Sequence, residues 1–203
     1  MKNGPELAAV ITWIDRIIDE SNTWFNATKM EDMANYVDAI KLYLQDAGDS
    51  LGKGLLVRAG LSCSCAADCL LRMDGLALAK NLYSKSAAIY WENAHSPLAG
   101  SIREWLWSLQ KAYENFLLAD DKSRAEVVRS EYLVLAKRVD PFNREPKLQP
   151  PKLDSKASSL SPTNASLPES LIVAVKSFLE KPGGPLGSRG GRPTTEGGSE
   201  FGE

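Results

Sequence analysis

The sequence predicts an all-α protein built from antiparallel helical hairpins. Through most of the first 140 residues, apolar side chains recur at the i, i+3, i+4 spacing of an amphipathic helix. No alternating run of β-branched residues bounded by a hairpin turn competes with that pattern. The breaks between the helical segments are short and contain Gly, Pro, Asn or Asp, so each helix is expected to fold back on the one before it.

Six helices are predicted before position 141. Pro5 suits the first turn of a helix, and the apolar stripe that follows it predicts a helix over about 5–21. The next five helices are predicted over about 30–46, 55–73, 76–93, 99–118 and 122–138. Residues 48–54 are rich in glycine and predict a loosened connection between the second and third of the six helices.

The composition changes abruptly at Asp140-Pro141. Residues 141–165 contain five prolines among serines and lysines, and they predict a disordered linker. Residues 166–181 predict a short amphipathic helix, in which Ser166 and Glu169 have the spacing of a capping box. Residues 182–203 are rich in glycine and predict a disordered C-terminal tail.

The chain is therefore expected to divide into a helical-hairpin domain, residues 1–140, followed by the linker, the short helix and the tail. Because the strongly periodic segments all end before Pro141, the hairpin domain is expected to be stable without the rest.

A repeat is visible within this domain. When the chain is shifted by 47 positions without a gap, Tyr43 aligns with Tyr90 and Ala47 aligns with Ala94. Repeats of roughly 30–50 residues that each contain two helices are typical of helical-repeat proteins. The shift predicts that Tyr43 and Tyr90 are buried equivalents in two related hairpins.

Residues 34–43 resemble the second helix of a tetratricopeptide repeat, in which a small residue, an aromatic residue and another small residue follow at one-turn spacing. Here these residues are Ala39, Tyr43 and Ala47, and a weaker second match contains Ala79 and Tyr83. The shift of 47 exceeds the family's repeat of roughly 34 residues, and longer hairpins are similar to those of SNAP-type adaptors or of a compact bundle. The resemblance implies stacked hairpins that bind another protein.

The composition narrows the class of partner. A net charge of −2 gives no argument for a nucleic-acid or membrane-surface partner. No segment predicts a signal peptide or a transmembrane helix, so no membrane insertion is expected. The three cysteines all lie within residues 63–69, which favours a reducing compartment and a cytoplasmic location over a disulfide framework.

No catalytic, cofactor or metal site is predicted. Cys63, Cys65 and Cys69 have C-x-C-x3-C spacing, without the fourth ligand that a zinc or iron–sulfur site needs nearby. We interpret them as small packing residues at a helix interface. His95 is the only histidine, so a di-metal carboxylate site lacks its second histidine and His95 is interpreted as a residue at a helix end.

The leading functional prediction is a non-enzymatic adaptor or scaffold for another protein. The alternative is a small all-helical enzyme or toxin-type nuclease with an unrecognised site. Five residues are predicted to contact the partner protein: Trp105, Trp107, Leu171, Val175 and Phe178.

Two questions about these five residues remain open at this stage. Trp105 and Trp107 are two residues apart and point to nearly opposite sides of a helix. Either one of them is exposed at an interface, or a multilayer bundle buries both. The helix over 166–181 is too short to be stable alone, and it docks either on a groove of its own body or on a partner.

Overall fold

The computed structural model describes residues 22–97, 100–140, 148, 150–151 and 167–181. These residues form seven α-helices: α1 (Thr23–Asp32), α2 (Tyr36–Gly52), α3 (Leu56–Leu71), α4 (Leu76–His95), α5 (Ile102–Leu118), α6 (Lys122–Val139) and α7 (Glu169–Glu180). They contain no strand, so the predicted all-α class is confirmed, whereas α1 was not predicted as a helix of its own. The predicted helix over 5–21, most of the predicted linker and the tail over 182–203 lie outside the described residues.

Helices α1 to α6 form an antiparallel array in which each helix packs mainly against the next one in sequence. The short helix α7 then returns to lie against α2 and α4. Since α7 contacts both α2 and α4, it lies along a furrow between these two helices. We call this feature the α2–α4 furrow, and α7 occupies it.

Four connections in the array use the same backbone turn. Each has one residue in the left-handed region, and the N–H of the following residue bonds to a carbonyl five residues earlier, at 2.8–2.9 Å. This is the arrangement of a Schellman C-cap, which satisfies orphan carbonyls at a helix end and reverses the chain. The left-handed residues are Ala34 (φ 58°), Gly54 (φ 72°), Asp74 (φ 60°) and Asp120 (φ 64°).

The turns correct one predicted boundary. A helix was expected over about 30–46, but α1 ends at Asp32 and α2 begins at Tyr36. The break arises because Ala34 adopts a positive φ, and the Asn35 side chain then caps α2 by accepting a bond from the Asp38 N–H. Nothing in the apolar pattern signals this turn, since alanine ordinarily favours the helix.

The predicted break over 48–54 is also shorter than expected. Helix α2 continues through Gly48 and ends at Gly52, so the connection to α3 is Lys53–Gly54–Leu55. Of the glycines in this stretch, Gly54 alone has a positive φ.

The internal repeat has a different length from the one predicted. Helices α2 and α4 begin at Tyr36 and Leu76, so Tyr43 and Tyr83 are each the eighth residue of their helix, whereas Tyr90 is the fifteenth. The burial of Tyr43 and Tyr90 is confirmed, but their equivalence is wrong. A repeat of 40 residues superposes two fully buried small–Tyr–small sets: Ala39, Tyr43 and Ala47 in α2, and Ala79, Tyr83 and Ala87 in α4.

The matched tyrosines make matched polar contacts. The Tyr43 hydroxyl donates a hydrogen bond to the carboxylate of Glu31 on α1 at 2.8 Å, and the Tyr83 hydroxyl donates one to Asp68 on α3. Each bond ties an even-numbered helix to the helix that precedes it. Burial raises the pKa of both hydroxyls, so both remain protonated donors.

The apolar interior consists of two clusters. The first lies among α1 to α4 and includes three residues of α7: Leu171, Val175 and Phe178. The second lies among α4, α5 and α6 and contains Tyr90 and Phe116. Helices α3 and α4 approach closely at Gly60. A Cβ at this position would lie only 2.9 Å from two ring carbons of Tyr90, so the approach requires a glycine.

Candidate functional site

The first candidate surface is the α2–α4 furrow with α7 seated in it. Leu171 and Val175 are completely buried and Phe178 is 4% exposed, while Val173 on the opposite side of α7 is 59% exposed. The three buried residues are spaced by four and then three positions, which places them on one face of a helix. This face is the one that the sequence predicts to bind a protein surface, and the surface it meets is the chain's own body.

Contacts at both ends of α7 fix its position in the α2–α4 furrow. Before the helix, Leu167 packs closely on the α3–α4 turn. A Cβ on Gly75 in that turn would lie 3.1 Å from the Cδ1 atom of Leu167. After the helix, the Lys85 Nζ on α4 donates a hydrogen bond to the Lys181 carbonyl at 3.0 Å. Of the two docking sites left open by the sequence, the structure shows the chain's own groove.

One expectation about this helix is wrong. Pro168 is the N-cap and Glu169 is the first helical residue, so Glu169 is not the third residue of a capping box that starts at Ser166. Leu171, Val175 and Phe178 belong to the first core cluster, and the stability of the hairpin domain without α7 stays a prediction.

The second candidate surface contains the two predicted tryptophans of α5. Trp105 is 36% exposed and Trp107 is 41% exposed, so neither is fully buried. The Trp107 ring packs edge-on against Tyr90, with 5.5 Å between ring centroids and an interplanar angle of 83°. Trp105 faces a different environment, the wall of a cavity.

That cavity has a volume of about 790 Å³ and lies between the end of α4, the beginning of α5 and the second half of α6. We call it the α4–α6 cavity. Its apolar wall is formed by Ala94, Pro97, Trp105, Leu109, Val134 and Leu135. Its remaining lining residues are His95, Ser96, Ser130, Glu131 and Arg138. Pockets of this size and mixture are typical of small-molecule sites.

The carboxylate of Glu131 is held at one side of the α4–α6 cavity. Its Oε2 accepts a hydrogen bond from the Trp91 indole N–H at 2.8 Å and lies 3.4 Å from the His95 Nε2. The His95 Nδ1 lies 2.8 Å from the carbonyl oxygen of Trp91. His95 therefore lies at the end of its helix, as the sequence predicts, and it also joins α4 to α6.

Arg138 lines the same cavity two helical turns further along α6. Among the residues that the structure describes, it forms no ion pair, in contrast to Arg124 and Arg129 on the same helix. Neither Glu131 nor Arg138 is predicted from the sequence to belong to a site. No motif marks them, because three helices separated in sequence bring the lining together.

The cysteines are packing residues. Cys63 and Cys69 are completely buried in the first core cluster, and burial raises the pKa of the Cys63 thiol to about 12. Burial raises the pKa of Cys65 to about 12 as well. In the described part of the chain, no three His, Cys, Asp or Glu side chains are grouped so that they could hold a metal ion.

Comparisons with known proteins give no match: no family model, no curated protein and no solved structure is significantly similar to this chain. Within the described ranges, none of the helices combines the length and the apolar character that crossing a membrane requires.

Proposed function

We propose that this protein is a non-enzymatic interaction adaptor whose α2–α4 furrow receives an amphipathic helix of a partner protein. The observation that carries the proposal is the seating of α7. Leu171, Val175 and Phe178 are buried against helices of the same chain, so the body offers an apolar surface that accepts a helix. Helix-in-groove binding with anchors at i, i+4 and i+7 is a recurring mode of protein recognition.

The proposal treats α7 as the resident occupant that a partner helix replaces. Helix α7 has 12 residues, and isolated helices shorter than about 12–15 residues are marginal in water. A longer partner helix with the same apolar spacing is more helical before it binds, so it loses less free energy per residue on ordering, and it covers more of the α2–α4 furrow. The resident helix α7 sets the affinity that a partner helix needs in order to replace it. A competitor tethered to the same chain acts at an effective concentration on the order of millimolar.

The net charge of the chain bears on the class of partner, and its three cysteine thiols bear on the cellular location. The net charge of −2 favours a protein over a nucleic acid. Cys63, Cys65 and Cys69 are free thiols, which favours the cytoplasm.

The experiment is a binding titration with a fluorescent peptide of residues 167–181. Val175→Asp in the full chain places a charge at a completely buried position and releases α7 from the α2–α4 furrow. This variant is expected to bind the wild-type peptide saturably, as measured by fluorescence anisotropy. The wild-type chain is expected to bind it at least tenfold more weakly, since its furrow is occupied.

Val173→Asp is the matched control, because it makes the same substitution two residues away at an exposed position of α7. It is expected to behave like the wild-type chain. A Val175→Asp chain that retains its helical circular dichroism and does not bind the peptide would show that the α2–α4 furrow does not accept a helix in trans, which contradicts the proposal.

A further inference from the structure

We propose that the α4–α6 cavity binds a small amphipathic carboxylate, with the apolar part of the ligand inside the cavity and its carboxylate on Arg138. This site is separate from the α2–α4 furrow and does not rest on the adaptor function. The cavity lies beside the second core cluster, at the end of the array formed by α6, whereas α7 contacts α2 and α4.

The size and the wall of the cavity favour a small apolar ligand. A volume of about 790 Å³ lies within the range of roughly 300–1,000 Å³ that is typical of small-molecule pockets. Trp105 and Val134 line it and are 36% and 57% exposed, so apolar surface there is still in contact with solvent. Covering that surface with an alkyl chain or a ring is favourable at about 25 cal/mol per Å².

Charge decides which polar group the ligand carries. At one side of the cavity, Glu131 already accepts a hydrogen bond from Trp91 and lies beside His95. At the other side, Arg138 has no carboxylate partner among the described residues. A guanidinium forms bidentate hydrogen bonds with a carboxylate, so an anionic ligand supplies what Arg138 lacks, whereas a cationic ligand would compete for Glu131.

The neighbouring hydroxyl does not alter this assignment. The Ser130 Oγ donates a hydrogen bond to the Glu126 carbonyl at 2.9 Å, so its proton is used within α6. Arg138 is the one lysine or arginine among the lining residues, and it supplies the permanent positive charge for an anion in the cavity.

The experiment titrates three probes of equal chain length, decanoate, decanol and decylammonium, into the full chain below their micelle-forming concentrations. Calorimetry measures affinity, and the change in tryptophan fluorescence that is lost in a Trp105→Phe variant reports on the cavity wall. Decanoate is expected to bind saturably and at least tenfold more tightly than either other probe. Arg138→Gln is expected to remove that advantage and leave the weaker binding of decanol unchanged.

Arg129→Gln is the control, because Arg129 lies on the same helix, pairs with Glu126 and does not line the cavity. It is expected to bind decanoate like the wild-type chain. The proposal is overturned if decanoate does not bind saturably, if all three probes bind equally, or if Arg138→Gln and Arg129→Gln have the same effect. Because Arg138 is exposed, its substitution is expected to leave the unfolding curve unchanged, and unfolding in urea verifies this.

Discussion

The residues that define this structure are small side chains paired with tyrosines whose hydroxyls are bonded to acids. Ala39 and Ala47 flank Tyr43 in α2, and all three are buried. Small neighbours let adjacent helices approach, and the tyrosine ring fills the space that remains. The hydrogen bond from the Tyr43 hydroxyl to Glu31 adds a polar contact that ties the ring to the preceding helix.

The buried thiols give a prediction at the same scale. Burial raises the pKa of Cys63 from its ordinary value of 9.0 to about 12. Above pH 9 the unfolded chain releases this proton while the folded chain keeps it. Stability is therefore fully present below about pH 9 and falls as pH rises toward 12, by up to ~1.4 kcal/mol per pH unit for each such group.

Urea unfolding at about pH 8, 9, 10 and 11 measures this slope. Cys63→Ala is the comparison, because it removes one thiol and leaves the other two, together with the tyrosines, which are buried in the folded chain and ionise in this range only after unfolding. The variant is expected to lose stability less steeply than the wild-type chain above pH 9. Parallel curves for the two proteins would show that Cys63 is not protected by burial.

At the scale of the elements, the connections set the antiparallel order of the helices. Gly54 occupies the left-handed residue of the α2–α3 turn, where a Cβ would meet no atom within 4 Å. Replacing it with alanine changes only the backbone preference. Gly54→Ala is therefore expected to lower the free energy of unfolding by ~1–2 kcal/mol.

Gly48→Ala is the matched control, since Gly48 lies inside α2 and a Cβ there also meets no atom within 4 Å. There, alanine suits the helix better than glycine, and the substitution is expected to stabilise the protein by ~0.5–1 kcal/mol. Urea unfolding of both variants checks the opposite signs. A stabilising effect of Gly54→Ala would contradict the left-handed conformation of Gly54 in the α2–α3 turn.

The positions of the helices are predicted from the sequence better than the turn between α1 and α2 or the length of the repeat. The hairpins from α3 to α6 follow from local apolar periodicity and from breaks such as Asp74-Gly75, which are local properties of the chain. The α1–α2 turn was missed because Ala34 carries no signal for a left-handed conformation. The repeat length was missed because an aromatic match between Tyr43 and Tyr90 does not reveal their different positions along α2 and α4.

At the scale of the whole molecule, the sites depend on contacts between distant parts of the chain. The apolar stripe of α7 was visible in the sequence, but the same stripe suits its own body and a partner equally well, so its docking required the structure. The α4–α6 cavity was missed for a related reason, since Trp105 was predicted as a contact residue without Glu131 and Arg138, which come from another helix.

The described part of the chain is thus a six-helix array with a seventh helix in the α2–α4 furrow. The central claim of the account is that α7 is docked there and yet separable from the array. Its main contacts are with two helices, α2 and α4, and they are far fewer than the contacts that α3, α4 and α5 each make with their two neighbours. Elements with fewer buried contacts open at lower free energy than the global unfolding.

Native-state hydrogen exchange of the full chain, measured amide by amide with increasing low concentrations of urea, tests this claim most directly. The account predicts that the amides of α7 are protected as one group. Their opening free energy is expected to lie clearly below that of α3 and α4, whose amides are expected to exchange only by global unfolding. Unprotected α7 amides would show that the helix is not docked, and α7 amides that open together with α3 and α4 would show that it cannot be exchanged for a partner helix.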